Sequence, residues 1–280
     1  MERSHTMQKN RLKTLLILVS SVLILIIVFI VNSFFGNPFS YLLASKTAEN
    51  HLIITYPDTD YYVDHINYSF KDGNYHAFIK SPSSIDTEFS LSITMLGKLR
   101  LDTYDSVLCG FNTAGRLINE YYTLTNSVFD APSFPYDCHI SLGKLEIYPE
   151  EVLQTPSLDI PSYAINQNEL ILDKIYNISE LGRQSGHLII YIESDTVTVE
   201  KAAGIMLDIK QRFDDANVPF TAMDFTLQHP LPKEGPRPEE TVNVAQFPYD
   251  KIYPDGMLER VMQADKELKE LYAKLDAMEK

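Results

Sequence analysis

The residues whose side chains are best suited to binding or catalysis lie between Ser69 and Ile93, in the stretch SFKDGNYHAFIKSPSSIDTEFSLSI. Asp72, His76 and Asp86 stand there among serines and aromatic residues, a mixture that could recognise a polar ligand or transfer protons. The connection KSPSSIDTE within it is longer than a minimal turn requires. We therefore predict a functional loop with these candidate residues: Lys80, Ser81, Ser83, Ser84, Asp86 and Glu88.

Two groups of potential metal ligands accompany this stretch. Asp58, Asp60 and Asp64 could offer carboxylate oxygens to calcium, although their spacing is not that of an EF-hand loop. His65 and His76 share one face of a predicted hairpin, where imidazoles could hold a transition metal, but a third ligand is missing. A solvated acidic turn and two surface histidines are the favoured alternatives, so we expect no metal site and no cofactor.

Cys109 and Cys138 are the two cysteines of the chain. One disulfide between them is possible in an oxidising compartment, and two small buried thiols are the alternative. Consecutive side chains on a strand point to opposite faces, so Cys138 and His139 do not form a nucleophile pair. The sequence contains no Walker A, G-x-G-x-x-G, H-E-x-x-H, G-x-S-x-G or C-x-x-C motif, which makes an enzyme the less favoured class.

The N-terminal region determines the predicted topology. No charge occurs from Thr14 to Ser45, and the apolar run LLILVSSVLILIIVFIV, extended by two phenylalanines, can cross a hydrocarbon core of about 30 Å. The preceding residues include four cations, so the positive-inside rule places the N-terminus in the cytoplasm and the bulk of the chain outside. This predicts a retained signal anchor, whether the chain starts at Met1 or Met7, with a cleaved signal peptide as the alternative. The four cations are Arg3, Lys9, Arg11 and Lys13.

Overall composition limits the partners of the remaining chain. With 24 basic and 38 acidic residues the net charge is -14, which disfavours binding to nucleic-acid phosphates and to anionic lipid, since either requires a cluster of lysines and arginines. A hydrophobic content of 45% indicates packed cores.

The elements that would position the candidate residues follow from the spacing of apolar residues. A short helix from about residue 39 to 53 follows the anchor, and alternating residues from 60 to 104 predict a four-stranded antiparallel meander. A two-residue Asp72-Gly73 turn would pair Phe70 with Tyr75. An amphipathic helix from about 112 to 129 would cover the apolar face of this sheet together with the juxtamembrane helix.

A second unit begins near residue 133. It contains a strand pair or kinked strand around Gly143, a helix over residues 166–186 and a central strand at HLIIYIES. A helix capped by Thr198 and a strand at FTAMDFTLQHP follow, which together predict a ferredoxin-like αβ unit. The segment from Asp255 has apolar residues at helical spacing and could bind a partner; Asp265 on its seam argues against a coiled coil.

Several segments of the sequence resemble one known family. The segments GNPFSYLLASKTAENHL, YSFKDGNYHAFIKSPSSIDTEF, LDTYDSV and GFNTAGRLINEYY, together with the anchor, are similar to the YfjL-like membrane-anchored proteins of Gram-positive bacteria. The similarity is specific over about residues 36–131 and looser beyond. It implies two extracytoplasmic domains behind one spanning helix. No activity is established for that family, so the resemblance transfers no site.

The sequence thus predicts an α+β protein with one N-terminal transmembrane helix, two small α+β layer domains and a C-terminal amphipathic helix. Its predicted function is a single-pass, membrane-anchored extracytoplasmic module for binding, sensing or interaction. An anchored cell-envelope hydrolase and a structural subunit of a membrane complex are the alternatives. Its predicted partners are the lipid bilayer through residues 14–35 and a protein through residues 255–280, and no nucleic acid. The predicted boundaries are 1–13 for the cytoplasmic N-terminus, 14–35 for the anchor, 37–132 and 133–254 for the two domains, and 255–280 for the last helix.

Overall fold

A computed structural model describes residues 2–156 and 158–278 of the 280-residue chain. Met1, Ser157, Glu279 and Lys280 lie outside that description, and with them the choice of Met1 as start and the last two residues of the predicted C-terminal helix. The chain divides into two compact units, Met1–Leu108 and Cys109–Lys280. The α+β class predicted from the sequence is confirmed.

The first unit begins with one long helix, α1 (Glu2–Phe35). The large apolar side chains from Leu15 to Phe35 are all exposed. An exposed apolar surface of this extent is unfavourable in water. From Leu15 onward the helix lies within the stretch Leu15–Thr55, which by length and composition could cross a membrane, as an anchor or as a signal sequence.

A second helix, α2 (Pro38–Thr55), follows after a two-residue break. Asn37 caps it, since Asn37 Oδ1 accepts a hydrogen bond from Ser40 N at 2.8 Å and Pro38 occupies the first helical position. The helix buries a face of small residues, namely Ser40, Ala44 and Ala48, together with Leu52. Tyr41 and Leu42 of the same helix are exposed.

The first sheet has the predicted meander order, β1-β2-β3-β4, with all neighbours antiparallel. Its strands are β1 (Tyr62–Ser69), β2 (Asn74–Lys80), β3 (Glu88–Thr94) and β4 (Leu99–Asp102). As the alternation predicted, the face that packs on α2 consists of Tyr75, Ala77, Ile79, Phe89, Leu91 and Ile93, which are all buried. A short helix, α3 (Asp105–Leu108), adds Val107 to this core.

The register of the first hairpin differs from the predicted one by two residues. The sequence predicted that Phe70 pairs with Tyr75 across a two-residue turn. The structure pairs Tyr68 with Tyr75, and Gly73 N closes a longer connection by donating to Ser69 O at 2.8 Å. Gly73 has a φ of 69°, which glycine adopts without strain. Because the shift is even, the apolar face is unchanged.

A β-bulge changes the faces of β1. Strict alternation along β1 would place Asp64 on the apolar face with Tyr62 and Ile66. In the structure the ladder shifts between Val63 and His65, so that Asp64 is the extra residue. Val63 therefore joins the core with Ile66, and Tyr62 is exposed.

The second unit is built on a mixed sheet with the sequential order β10-β9-β8-β5. This order differs from the split arrangement of a ferredoxin-like unit. β8 and β9 are parallel, and the other two pairs are antiparallel. The strands of the unit are β5 (Cys138–Leu145), β6 (Ile147–Tyr148), β7 (Ile165–Asn166), β8 (Gly186–Glu193), β9 (Ala222–Gln228) and β10 (Thr241–Pro248).

Helices cover the apolar face of this sheet. The helices of the unit are α4 (Phe111–Phe129), α5 (Glu150–Leu153), α6 (Ile178–Ser185), α7 (Val199–Asp215) and α8 (Met257–Met278). As predicted, β8 is a central strand, and Thr198 caps α7 by accepting from Lys201 N at 3.2 Å. The central cluster contains Leu188, Ile190 and Ile192 of β8 and residues of β9, β10, α7 and α8.

Helix α4, which the sequence predicted as a cover for the first sheet, belongs to the second unit. It packs on β5 of the second unit. Gly143 of β5 makes this approach possible, because a Cβ at that position would collide with the side chain of Thr125 on α4. An amphipathic stripe indicates that one face of a helix packs on another element, but it does not identify that element.

The predicted helix over residues 166–186 is wrong for its first half. That half consists of β7, a 3-10 turn over Gln167–Glu169 and an irregular segment in which Asp173 has a φ of 60°. The helix α6 begins at Ile178, because Asn177 Oδ1 caps it by accepting from Glu180 N at 3.2 Å.

Candidate functional site

The predicted loop between β2 and β3 is a structured connection. Ser81 and Asp86 are buried, and Ser84 Oγ donates to Thr87 Oγ1 at 2.7 Å. Lys80 and Glu88 are Cα partners at the two ends of the connection.

Serines of this loop hold an acidic residue from the segment before β1. Ser81 Oγ donates to Asp60 Oδ1 at 2.6 Å, and Ser83 N donates to Asp60 Oδ2 at 3.1 Å. These hydrogen bonds lower the pKa of Asp60 below its usual value. The loop therefore folds over the segment that leads into the first strand. This local contact accounts for the length of the loop.

The bulged Asp64 is also paired. Its Oδ2 lies 3.2 Å from Lys80 Nζ and 2.9 Å from His65 Nδ1. Both partners lower the pKa of Asp64. Asp60 and Asp64 are thus bound by different groups, and Asp58 sits in a left-handed turn with a φ of 66°.

The two hairpin histidines bind separate carboxylates. His65 contacts Asp64, whereas His76 Nε2 lies 3.0 Å from Asp72 Oδ2. His76 is the Cα partner of Asn67, so the two imidazoles are not opposed. Among the residues that the structure describes, no group of three or more His, Cys, Asp or Glu side chains is arranged to hold a metal ion.

The two cysteines lie in different surroundings of the second unit. Cys109 is exposed, and Gln167 Nε2 donates to its carbonyl oxygen at 2.9 Å. Cys138 opens β5 with a half-buried thiol, whose pKa is raised to about 11 by burial and by Asp137. The disulfide between them stays a prediction.

A buried polar cluster that no sequence pattern had indicated surrounds His187 in the second unit. His187 is near the start of β8, with Lys144 of β5 and Ala222 of β9 as its Cα partners. Its Nδ1 makes a short contact with Glu146 Oε1, and its Nε2 lies 2.9 Å from Asp224 Oδ1. The second distance is that of an ion pair, although no regular hydrogen bond is formed by Nε2.

Glu146 is the centre of this cluster and is almost fully buried. Besides His187, its carboxylate accepts from Tyr148 Oη at 2.5 Å and lies 3.0 Å from Lys144 Nζ. Burial alone would raise the pKa of Glu146, but these three partners lower it to about 2. Glu146 is therefore a buried carboxylate that stays charged.

His187 is correspondingly held as a cation. Burial disfavours the charged imidazole, but the carboxylates of Asp224 and Glu146 outweigh it and raise the pKa of His187 to about 9. Since each ring nitrogen faces a carboxylate, neither is directed to abstract a proton from a substrate. The arrangement is that of a buried ion network rather than of a general base.

Two neighbours of the cluster carry unusual features. The hydroxyl of Tyr163 is buried without a hydrogen-bond partner among the described residues, and its ring centroid lies 6.3 Å from that of His187. Gln246 has a φ of 47° at the bulge of β10, and its N–H donates to Asp224 Oδ1 at 2.6 Å. The strained backbone at Gln246 thus fixes the carboxylate that faces His187.

An open cleft of about 510 Å³ lies at the same end of the sheet. This volume falls within the range of small-molecule sites, about 300–1,000 Å³. The segment after α7 and the last residues of β10 form it. Its apolar lining consists of Phe213, Val218, Pro219, Phe220 and Pro248.

Charged and polar groups stand around this apolar lining. Arg183 and Asp250 are both exposed and line the cleft with opposite charges. Asp214 is already engaged, since Lys210 Nζ donates to it at 2.8 Å and Tyr249 Oη at 2.7 Å. The cleft can therefore offer one cationic and one anionic group beside an apolar wall.

Comparison with known proteins identifies relatives by family. Residues 11–103 match the model of the YfjL-like N-terminal domain, and residues 120–262 match that of the YfjL-like C-terminal domain. A DUF5037 family protein of known crystal structure from Ruminococcus gnavus is 16% identical, with 66% of this chain and 74% of that chain covered at a TM-score of 0.20. No curated protein matches the chain significantly.

Proposed function

We propose that this member of the YfjL-like family, both of whose domain models it matches, is a membrane-anchored binding protein that works outside the cytoplasm. The anchor would be residues 14–35, retained as a signal anchor with the N-terminus in the cytoplasm. The observation that supports anchoring is the exposed apolar surface of α1, which a bilayer would cover. The cations before the apolar run favour this orientation.

Topology can be tested by labelling cysteines on intact cells. In a variant without Cys109 and Cys138, single cysteines are placed by Glu2→Cys before the apolar run and by Glu239→Cys in the exposed segment before β10. An impermeant maleimide should label the second variant only, and both after permeabilisation. Labelling of the first variant alone on intact cells, or a mature protein that lacks the N-terminal segment, would contradict the proposal.

The binding role is proposed for the cleft of the second unit. An apolar wall flanked by Arg183 and Asp250 suits a small zwitterionic ligand with an apolar body, of the amino-acid or short-peptide class. The carboxylate would pair with Arg183, whose guanidinium also contacts Glu180 at 2.7 Å, and the amine with Asp250.

Saturation-transfer NMR on the full-length protein in nanodiscs tests this binding role. The probes are dipeptides with free termini and apolar side chains. Transfer should occur with the wild type and should be lost with Pro248→Trp, which places a large ring on the cleft wall. Leu231→Trp is the matched control, because Leu231 is exposed and is not part of the cleft lining. Equal transfer to both variants, or none to the wild type, would refute the cleft as the site.

A protein partner is proposed for the second half of α8. Met257 and Val261 of its first half are buried in the core, whereas Leu271, Tyr272 and Leu275 are exposed. A photo-crosslinking residue at Leu271 should capture a partner in the membrane fraction, and the same residue at the exposed Glu259 should not. Equal crosslinking from both positions would contradict a specific partner face.

A further inference from the structure

Exposed apolar side chains gather at one end of the first sheet. In a meander the first and third turns lie at the same end, and here the first turn exposes 59% of Phe70 and the third 88% of Leu96. The start of α2 adds Phe39, which is 80% exposed, and Leu42. Thr47 Oγ1 on α2 donates to the carbonyl oxygen of Gly97 at 2.8 Å and thereby fixes the third turn beside this helix.

The same end of the sheet is joined to the last turn of α1. Tyr68 Oη donates to the carbonyl oxygen of Ser33 at 3.1 Å. Tyr75 Oη accepts from Asn37 N at 2.7 Å and donates to Asn37 O at 2.9 Å. The ring centroids of Phe34 and Phe70 are 5.9 Å apart. The first turn therefore lies at the level where the apolar helix ends.

Charge at this end differs from charge at the opposite end. Phe70 and Leu96 form the apolar tips of the first and third turns. An exposed lysine follows each tip, Lys71 directly after Phe70 and Lys98 two residues after Leu96. Asp72 accepts a hydrogen bond from Asn74 and lies close to His76. The opposite end has an exposed apolar residue as well, Ile85, but acidic residues of its own loop, and of the segment around the start of β1 that contacts this loop, stand at that end. These are Asp58, Asp60, Asp64, Asp86 and Glu88.

From this geometry we infer that the first unit docks on the bilayer surface through Phe39, Leu42, Phe70 and Leu96, with Lys71 and Lys98 at the level of anionic lipid headgroups. The inference rests on the proposed function, in which α1 spans that bilayer. Apolar tips that enter the headgroup region with basic residues beside them are typical of interfacial anchoring. The hydrogen bonds of Tyr68 and Tyr75 would hold the unit in this orientation.

Single-tryptophan fluorescence tests the inference, because the chain contains no tryptophan. Full-length Leu96→Trp, Ile85→Trp and Phe29→Trp variants are placed in vesicles of phosphatidylcholine and phosphatidylglycerol whose acyl chains carry bromine near the headgroup or near the bilayer centre. The Leu96→Trp emission should shift to the blue and lose about half its intensity or more with shallow bromine, as expected for a side chain buried in the interface. The Ile85→Trp emission should be unaffected.

The Phe29→Trp variant separates the two possible failures. Strong quenching by deep bromine in this variant shows that α1 spans the bilayer. If it is quenched and Leu96→Trp behaves like Ile85→Trp, docking is refuted, the proposed anchor stands, and the apolar tips are left for a protein partner. If Phe29→Trp is not quenched, the anchor and the docking inference fail together.

Lipid charge is the second arm of the experiment. Adding Lys71→Glu and Lys98→Glu to Leu96→Trp should reduce the quenching in vesicles with phosphatidylglycerol and leave it nearly unchanged in phosphatidylcholine alone. A loss of equal size in both vesicles would contradict the assigned role of the lysines.

Discussion

Two histidine–carboxylate contacts of nearly equal length occur in very different surroundings. His76 Nε2 lies 3.0 Å from Asp72 at the hairpin of the first unit, and His187 Nε2 lies 2.9 Å from Asp224 in the second unit. The first pair is partly exposed and water can replace either partner. The second includes a buried imidazole that also contacts the buried Glu146. Distance alone thus says little about what a polar contact contributes, because desolvation sets the cost of breaking it.

The largest expected effect is the loss of the buried imidazole. His187→Ala leaves Glu146 buried without one of its main partners, which should lower the free energy of unfolding by about 3–5 kcal/mol. His76→Ala is the matched control, and it should change stability by less than about 1 kcal/mol, as exposed pairs do. Urea unfolding of the full-length protein measures both. Similar losses in the two variants would show that the comparison of surroundings is wrong.

The second expected effect is a pH dependence of stability that comes from the buried imidazole. The pKa of His187 is raised to about 9 in the folded protein from an ordinary 6.5, so the charged imidazole stabilises the fold fully below pH 6.5. That contribution is lost as the pH rises through about 9. The stability difference between the wild type and His187→Gln should therefore shrink from pH 6.5 to 9. Unfolding curves at each pH measure this, and a constant difference would refute a raised pKa.

The third expected effect comes from the half-exposed partner of the same carboxylate. Lys144→Met removes a cation 3.0 Å from Glu146 but leaves His187 and Tyr148 in place. We expect a loss of about 1 kcal/mol, because the remaining partners still balance the buried charge. Lys80→Met, which breaks the exposed pair with Asp64, should have no measurable effect in the same urea assay. A loss from Lys144→Met as large as that from His187→Ala would overturn this ranking of partners.

The sequence predicted which strand residues are buried better than it predicted which elements contact each other. Alternation in β2 and β3 predicted their buried face correctly, since period-two patterns report burial directly. The bulge at Asp64 was signalled by an acid on an apolar face, but its consequence for Tyr62 depends on ladder geometry. The partner of α4 depends on Gly143, a contact between elements that no local pattern contains.

The buried cluster was missed for a related reason. Glu146 and His187 are 41 residues apart, and each belongs to a segment that reads as an ordinary strand. Asp224 stands alone between apolar residues of β9. Single charged residues inside apolar strands were the available signal, because a buried charge needs partners. Strand order and register decide which residues become those partners, and no local sequence pattern indicated either of them.

The smallest expected effect concerns the exposed network of the first unit. Ser81→Ala removes the hydrogen bond to Asp60 that contributes most to the lowered pKa of this carboxylate. The pKa of Asp60 should rise toward its usual value in an NMR titration, because Ser83 alone then stabilises the charged form. Ser84→Ala, which removes the bond to Thr87 instead, should leave the pKa of Asp60 unchanged.

Stability should respond to Ser81→Ala in the direction opposite to that of the His187 pair. A lowered carboxylate pKa stabilises the fold above the unfolded pKa and loses its contribution as the pH falls through the folded value. The wild type and Ser81→Ala should therefore differ most near neutral pH and converge in acid. A pKa of Asp60 that does not move in Ser81→Ala would mean that the loop closes without binding this carboxylate, and the length of the segment from Lys80 to Glu88 would again call for a functional explanation.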